Sequence, residues 1–270
     1  VEGLAASPTA TASVTPSATA EPATPVQPAI LTGPQNPAAS LAEQGVLLIS
    51  MRDGAYIRLF AYHPGLLPLT RLTQSEWDEM DPSVSPDGHR LAYASRQNGY
   101  WDLYIRDLVS GAVERVTDTP DYEGRPSWSP DGQWLVYAGN ASGNLDLYLK
   151  SLTDPSLDPI RLTEDPAADT SPAWSPQGRQ IAFVSTRGGR SQIWSADLDR
   201  TDAKRYVPVS PEPLANQVFP TWSPDGRYLA WSSEQNGERR LVTWDSQKPE
   251  LAPGWSGYGD RFTWAPDGKM

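Results

Sequence analysis

Short apolar runs recur along the chain, each followed at a fixed distance by a second. The openers are Leu91–Ser95, Leu135–Gly139, Ile181–Ser185 and Leu229–Ser233. From the last residue of each run to the next apolar residue after its turn (Leu103, Leu147, Ile193 and Leu241) the interval is always 8. Runs of this length, rich in β-branched and aromatic residues and split by Asn-Gly, Ser-Gly-Asn or Gly-Gly, predict antiparallel hairpins. A constant interval fixes their register, because a slip by one residue would turn every side chain to the opposite face. An earlier pair, Val46–Ser50 and Tyr56–Tyr62 around Arg52-Asp53-Gly54, reads the same way.

A second signal punctuates the runs. Trp128-Ser129-Pro130-Asp131-Gly132 and Trp222-Ser223-Pro224-Asp225-Gly226 are the cleanest copies, with variants around Pro86, Pro176 and Pro266. Those prolines are spaced 44, 46, 48 and 42 residues apart. Proline presets φ for a tight turn, Asp tolerates the next position, and Gly takes the left-handed one. A period in the forties built from short strands and such turns is the signature of a β-propeller with four-stranded antiparallel blades. Arg71-Leu72-Thr73, Arg115-Val116-Thr117 and Arg161-Leu162-Thr163 close three of the units; Tyr206-Val207-Pro208 replaces that ending in the fourth. The first unit lacks an opening strand, and Arg261–Gly268 is an opening strand with nothing after it. Setting Phe262–Ala265 beside Val46–Ser50 predicts five blades, closed by pairing the N- and C-terminal strands so that no edge is left exposed.

The repeats resemble the TolB-type β-propeller family, relatives of the WD-repeat propellers. The carrying residues are Arg161-Leu162-Thr163, Ser171-Pro172-Ala173-Trp174-Ser175-Pro176, Ile181–Ser185 and Ile193-Trp194. The resemblance covers residues 45–270 and implies the fold. Similar repeats occur in periplasmic scaffolds, in propellers ahead of serine-peptidase domains and in extracellular sensor regions. The chain departs from the TolB propeller in offering five units where that propeller has six.

Residues 1–44 form a different segment. Within the first 40 lie seven prolines, six threonines and no Lys or Arg. This composition buries too little surface to fold alone and is expected to be an extended linker or stalk. Thr beside Pro and Ala is also the composition of O-glycosylated stalks, which makes Thr9, Thr11, Thr15, Thr19, Thr24 and Thr32 glycosylation candidates. Asn140-Ala141-Ser142 is a formal N-glycosylation sequon on a hairpin tip.

The formal charge is −11, which argues against a nucleic-acid footprint and against docking on anionic lipid. No run of apolar residues approaches a membrane span. The absence of cysteine excludes disulfides, thiolate metal sites and a Cys nucleophile. Catalysis finds little else to use. His63 and His89 sit beside turns and in no metal-ligand spacing, and Gly254-Trp255-Ser256-Gly257 has the wrong spacing for a nucleophile elbow.

Acids are the more interesting set. Glu79, Glu123 and Asp169 stand three residues before the proline that precedes each Trp strand, with Gln217 in the fourth copy. The family resemblance implies that these positions approach the channel entrance. A ring of carboxylates there would suit a cation, calcium included, or a basic peptide. The plainer reading is that each accepts a backbone hydrogen bond from its adjacent turn. Trp77, Trp101 and Trp255 lie in or next to loops and are the candidate contact residues, whereas Trp134 and Trp231 read as core.

The expectation is therefore a non-enzymatic, extracytoplasmic interaction or assembly module without a cofactor. Its expected partner is protein, through self-association of residues 1–40, up to a subunit of an extracellular filament linked head-to-tail; glycans are a further class. The alternative is the regulatory or sensor propeller of a longer hydrolase or membrane signalling protein.

Overall fold

The computed structural model describes residues 45–63, 67–209, 215–259 and 262–268. It is all-β apart from one 3₁₀ turn at Ala203–Arg205, and its strands form five antiparallel sheets. The first sheet is β1 (Leu47–Asp53), β2 (Tyr56–His63) and β3 (Leu67–Arg71). The second is β4 (Glu79–Val84), β5 (Arg90–Ser95), β6 (Asp102–Asp107) and β7 (Val113–Arg115), paired in that order. The third is β8 (Glu123–Trp128), β9 (Trp134–Gly139), β10 (Asp146–Ser151) and β11 (Ile160–Arg161). The fourth is β12 (Asp169–Trp174), β13 (Gln180–Ser185), β14 (Gln192–Asp197) and β15 (Tyr206–Pro208). The fifth is β16 (Asn216–Trp222), β17 (Tyr228–Gln235), β18 (Glu238–Asp245) and β19 (Gly254–Tyr258). This is a five-bladed propeller whose blades follow one another along the chain. Pro208 sits on an outer edge strand, where its missing N–H costs no ladder bond.

The constant interval of the hairpins appears as one register. Ser95 pairs with Asp102, Gly139 with Asp146, Ser185 with Gln192 and Ser233 with Arg240. The second strand of each blade reads as an unbroken apolar run because both of its faces are covered by neighbouring blades. Large and small residues alternate along it. In β5, Leu91 and Tyr93 pack with Leu59 of the first blade, while Ala92 and Ala94 receive Leu135 and Tyr137 of the third. Ile181 and Phe183 in turn pack with Val136 and Ala138, and Leu229 and Trp231 with Ala182 and Val184. Each blade thus turns its bulk back onto the small-residue face of the one before it, which fills the inter-sheet space at close-packed density.

The Trp of the turn motif fastens adjacent blades. Trp128 Nε1 donates to the Ser83 carbonyl at 2.9 Å, and Trp222 Nε1 to the Ala173 carbonyl at 3.1 Å. Trp174 is the exception, donating to its own Gly178 carbonyl. Inside the three Ser-Pro-Asp-Gly turns the Asp accepts from the Ser hydroxyl and from a backbone N–H two residues on, as Asp131 does from Ser129 and Gln133. Gly132 then takes φ +66°, and its carbonyl accepts from Arg90 of the second blade, whose guanidinium also lies 4.7 Å from the Trp128 ring centre.

The two ends meet at the first blade. Trp264 Nε1 approaches the Thr221 carbonyl at 3.4 Å, repeating for the fifth blade what Trp222 does for the fourth. A Cβ on Gly45 would lie 3.2 Å from Pro266 Cδ. Among the described residues the first blade has three strands, and Pro266 brings the C-terminal segment beside its start at Gly45. The glycosylation candidates Thr9, Thr11, Thr15, Thr19, Thr24 and Thr32 lie outside the described residues, with the rest of the expected stalk.

Candidate functional site

The opening strands β4, β8, β12 and β16 pack on one another from blade to blade and line the central channel. Each carries a β-bulge at the same place, between Met80 and Ser83, Gly124 and Ser127, Thr170 and Ala173, and Val218 and Thr221. At each bulge the residue before the proline has a left-handed backbone. These are Asp81 (φ 55°), Arg125 (55°), Ser171 (51°) and Phe219 (59°). A residue preceding proline ordinarily adopts an extended conformation, and a non-glycine residue here costs about 1–3 kcal/mol. The same strain held four times around one axis re-aims four side chains, which is what bulges do beside binding sites.

Three of those side chains meet. Arg125 Nη1 donates to Ser171 Oγ at 2.7 Å, between the third and fourth blades. The same guanidinium lies 5.8 Å from the Phe219 ring centre in the fifth blade. A contact that skips a blade crosses the channel, so Arg125 reaches over its lumen. Tyr122 belongs to the group: burial and the Asp81 charge raise its hydroxyl above the usual phenolic value, opposed by Arg125. All four bulge residues remain half-exposed.

The periodic acids lie at the start of the same strands but deeper, between blades. Glu79, Glu123 and Asp169 are 4%, 3% and 0% exposed. Their donors are side chains and not the backbone of an adjacent turn. Trp77 Nε1 donates to Glu79 Oε1 at 3.3 Å, Thr119 Oγ1 to Glu123 Oε1 at 3.1 Å, and Arg187 Nη2 to Asp169 Oδ2 at 2.7 Å. The second oxygen of each, Glu79 Oε2, Glu123 Oε2 and Asp169 Oδ1, is buried and accepts no hydrogen bond. Burial accordingly raises all three carboxyls, and Glu123 reaches about 7 with help from the charges of Asp102 and Asp121. Among the described residues no three His, Cys, Asp or Glu side chains come together as metal ligands, so the acids stand apart from one another.

A threonine latch accompanies them. Thr73, Thr117 and Thr163 each accept, through Oγ1, the buried backbone N–H of Leu59, Leu103 and Leu147. In the fourth blade, which lacks the Arg-Leu-Thr ending, Gln217 Oε1 reaches from the fifth blade to take the equivalent Ile193 N–H at 3.0 Å. The signal for this latch was present in the sequence as the coincidence of the missing threonine with the one Gln among the acids.

The tryptophan candidates divide. Trp77 is half-buried against Glu79 and lines a cavity. Trp101 is half-buried on the Ala94–Tyr137–Tyr148 cluster, with the Arg96 guanidinium 5.8 Å from its ring centre, so packing accounts for it. Trp255 belongs to strand β19 and not to a loop, since its segment completes the fifth blade; its side chain is outside the described residues. Asn140 accepts the Tyr122 N–H at 2.7 Å and Ser142 donates to Asp146, so the sequon's side chains are both engaged in the fold. His63 is half-buried and His89 exposed.

The chain matches the family model described as the TolB beta propeller domain over residues 68–270. Among solved structures it is similar to TolB from Acinetobacter baumannii, with 22% identity, a TM-score of 0.73, and coverage of 84% of this chain and 57% of that one. It is also similar to a putative TolB from Agrobacterium tumefaciens, at 22% identity, a TM-score of 0.66 and coverage of 84% and 81%. A puromycin-hydrolyzing peptidase from Mycobacterium tuberculosis aligns at 14% identity and a TM-score of 0.57, over 79% of this chain and 36% of the peptidase. At such identities these structures share the fold, and this chain spans little more than half the length of the Acinetobacter protein. The family match, continuous across the second to fifth blades, makes this chain a member of the TolB β-propeller domain family.

Proposed function

We propose that the chain is a non-enzymatic, extracytoplasmic interaction module whose channel grips a projecting segment of a partner protein. The carrying observation is the set of strained positions before the four prolines. The repeat keeps acid or amide, proline and small residue alike from blade to blade, yet this one place holds Asp81, Arg125, Ser171 and Phe219. An acid, a base, a hydroxyl and an aromatic ring on one rigid rim suit a mixed peptide surface better than a single chemical step. Residues 1–44 serve in this reading as a stalk and self-association segment. It gives the full chain larger assemblies than residues 45–270, measurable by light scattering.

The channel is tested with a photo-reactive residue at Ser171 of the full chain, expressed in its own cells. One discrete protein adduct is expected, and Arg125→Ala with Phe219→Ala should abolish it without lowering Tm. No adduct, or one indifferent to those substitutions, overturns the reading. A second reading is favoured by the similarity to the puromycin-hydrolyzing peptidase, of which the chain spans 36%. In it this propeller regulates a longer hydrolase, and a natural reading frame encoding a nucleophile elbow beyond Met270 would establish it.

A further inference from the structure

The second blade contains a cavity of about 530 Å³ at its face toward the first. Trp77, Glu79, Tyr93 and Tyr104 line it together with Gln97, Asn98, Arg106 and Arg115. Glu79 is 4% exposed, and its Oε2 accepts no hydrogen bond. The nearby Ser75 hydroxyl donates to the Trp77 carbonyl. Tyr93 and Tyr104 stack at 6.0 Å between centroids.

The fourth blade shows what such a place can hold. The registers make the correspondence unambiguous: Glu79 pairs with Ser95 as Asp169 pairs with Ser185, and Tyr93 pairs with Tyr104 as Phe183 pairs with Trp194. Two residues past the paired serine stands Gln97 in the second blade and Arg187 in the fourth, in turns with the same serine-to-backbone hydrogen bond. Arg187 folds back into its own blade. Its guanidinium lies 4.7 Å from the Trp194 ring centre and 5.5 Å from those of Phe183 and Tyr206, and it pairs with Asp169 at 2.7 Å. The second blade presents the same carboxylate and ring pair, adds Trp77, and has Gln97 in place of Arg187, so that no guanidinium enters from the hairpin. The third blade also pairs two tyrosines beside an acid, but has Ala141 at the hairpin position and Asp121 where Trp77 stands.

From this internal comparison we propose that the second-blade cavity binds a guanidinium group against Glu79, Tyr93, Tyr104 and Trp77. The source is an arginine side chain of a partner protein or a free guanidino compound. Aromatic faces and a buried carboxylate are the two components that recognise such a cation away from water. Neither of the two arginines in the lining forms an ion pair with Glu79. Arg115 is paired with Asp102 and Asp118, and Arg106 acts on Glu79 through space, with no ion pair between them. Arg106 instead offers donors to the carbonyl groups that flank an arginine side chain, while the Asn98 amide holds the Tyr104 hydroxyl at 3.1 Å. The chain's net charge of −11 favours approach of a cation.

The test uses the full chain and calorimetric titration with acetyl-arginine amide, with a capped tetrapeptide carrying a central arginine, and with acetyl-lysine amide. Saturable binding of the arginine probes is expected, with the lysine probe weaker and the Trp77 indole N–H resonance shifted. Gln97→Arg places the fourth blade's own occupant in the second, so it should abolish binding and raise Tm. Glu79→Gln should weaken binding tenfold or more, as expected for loss of a charged hydrogen-bond partner. Tighter binding of the tetrapeptide assigns the site to a partner's side chain, and tighter binding of the amide to a free compound. Absence of saturable binding, equal binding of the lysine probe, or full binding retained in Gln97→Arg overturns the proposal.

Discussion

Glu123→Gln should remove most of a pH-dependent weakness from the propeller. The Glu123 carboxyl, buried between the second and third blades, titrates at about 7 in place of its ordinary 4.5. Burial is the main cause, the charges of Asp102 and Asp121 add to it, and the Thr117 and Thr119 hydroxyls oppose it. The folded chain therefore holds this proton to higher pH than the unfolded chain does. Stability from the group is complete below pH 4.5 and is lost as the pH rises through 7. The separation corresponds to roughly 3 kcal/mol, since each pH unit between the two values is worth about 1.4 kcal/mol. A neutral amide of the same shape has no such dependence, and the fifth blade already uses one: Gln217, fully buried, stands in the equivalent register. Urea unfolding of both proteins from pH 4 to pH 8 isolates the effect, because titrating groups that do not interact with Glu123 cancel in the difference. The two should be close to equally stable at pH 4. At pH 8 the variant should be more stable by up to about 3 kcal/mol, equivalent to about 5–10 °C in Tm for a domain of this size. A difference that stays constant across the range, or a variant less stable at pH 8, would refute the argument that a buried carboxylate is ionised there at a cost.

Two further outcomes follow from the packing. Thr163→Val keeps the volume but leaves the buried Leu147 N–H without its 2.9 Å acceptor, and should lower stability by about 1–3 kcal/mol at unchanged urea m-value. Ala94→Leu adds bulk where Tyr137 and Tyr148 pack and should cost about 1–3 kcal/mol, whereas the same change at exposed Ala112 should be near neutral by thermal denaturation.

Two features follow from the order of residues alone. The hairpin interval of 8 determined register, because side chains alternate with a period of two and only one register buries the apolar set. The Pro-Asp-Gly turns determined the blade period, because local turn chemistry depends on adjacent residues alone. What the sequence left open depends on pairing and packing between segments. Trp255 read as a loop residue because a strand at the edge of a blade, Gly254–Tyr258, carries no alternation of its own; pairing with β18 makes it one. The acids read as a ring because they recur at one period. In three dimensions that period sets them between successive blades, each against different neighbours, Trp77, Thr119 or Arg187. Nothing in the letters Asp81, Arg125, Ser171 and Phe219 suggests a common place, since they share no chemistry. The bulge before each proline and the closing of the sheets around an axis bring them together, and both are properties of the ladder and not of the segment. Local spacing therefore determined the blades. The meeting of Arg125 with Phe219, and the likeness of the Glu79 cavity to the Arg187 cage, were decided only when the blades packed into a ring.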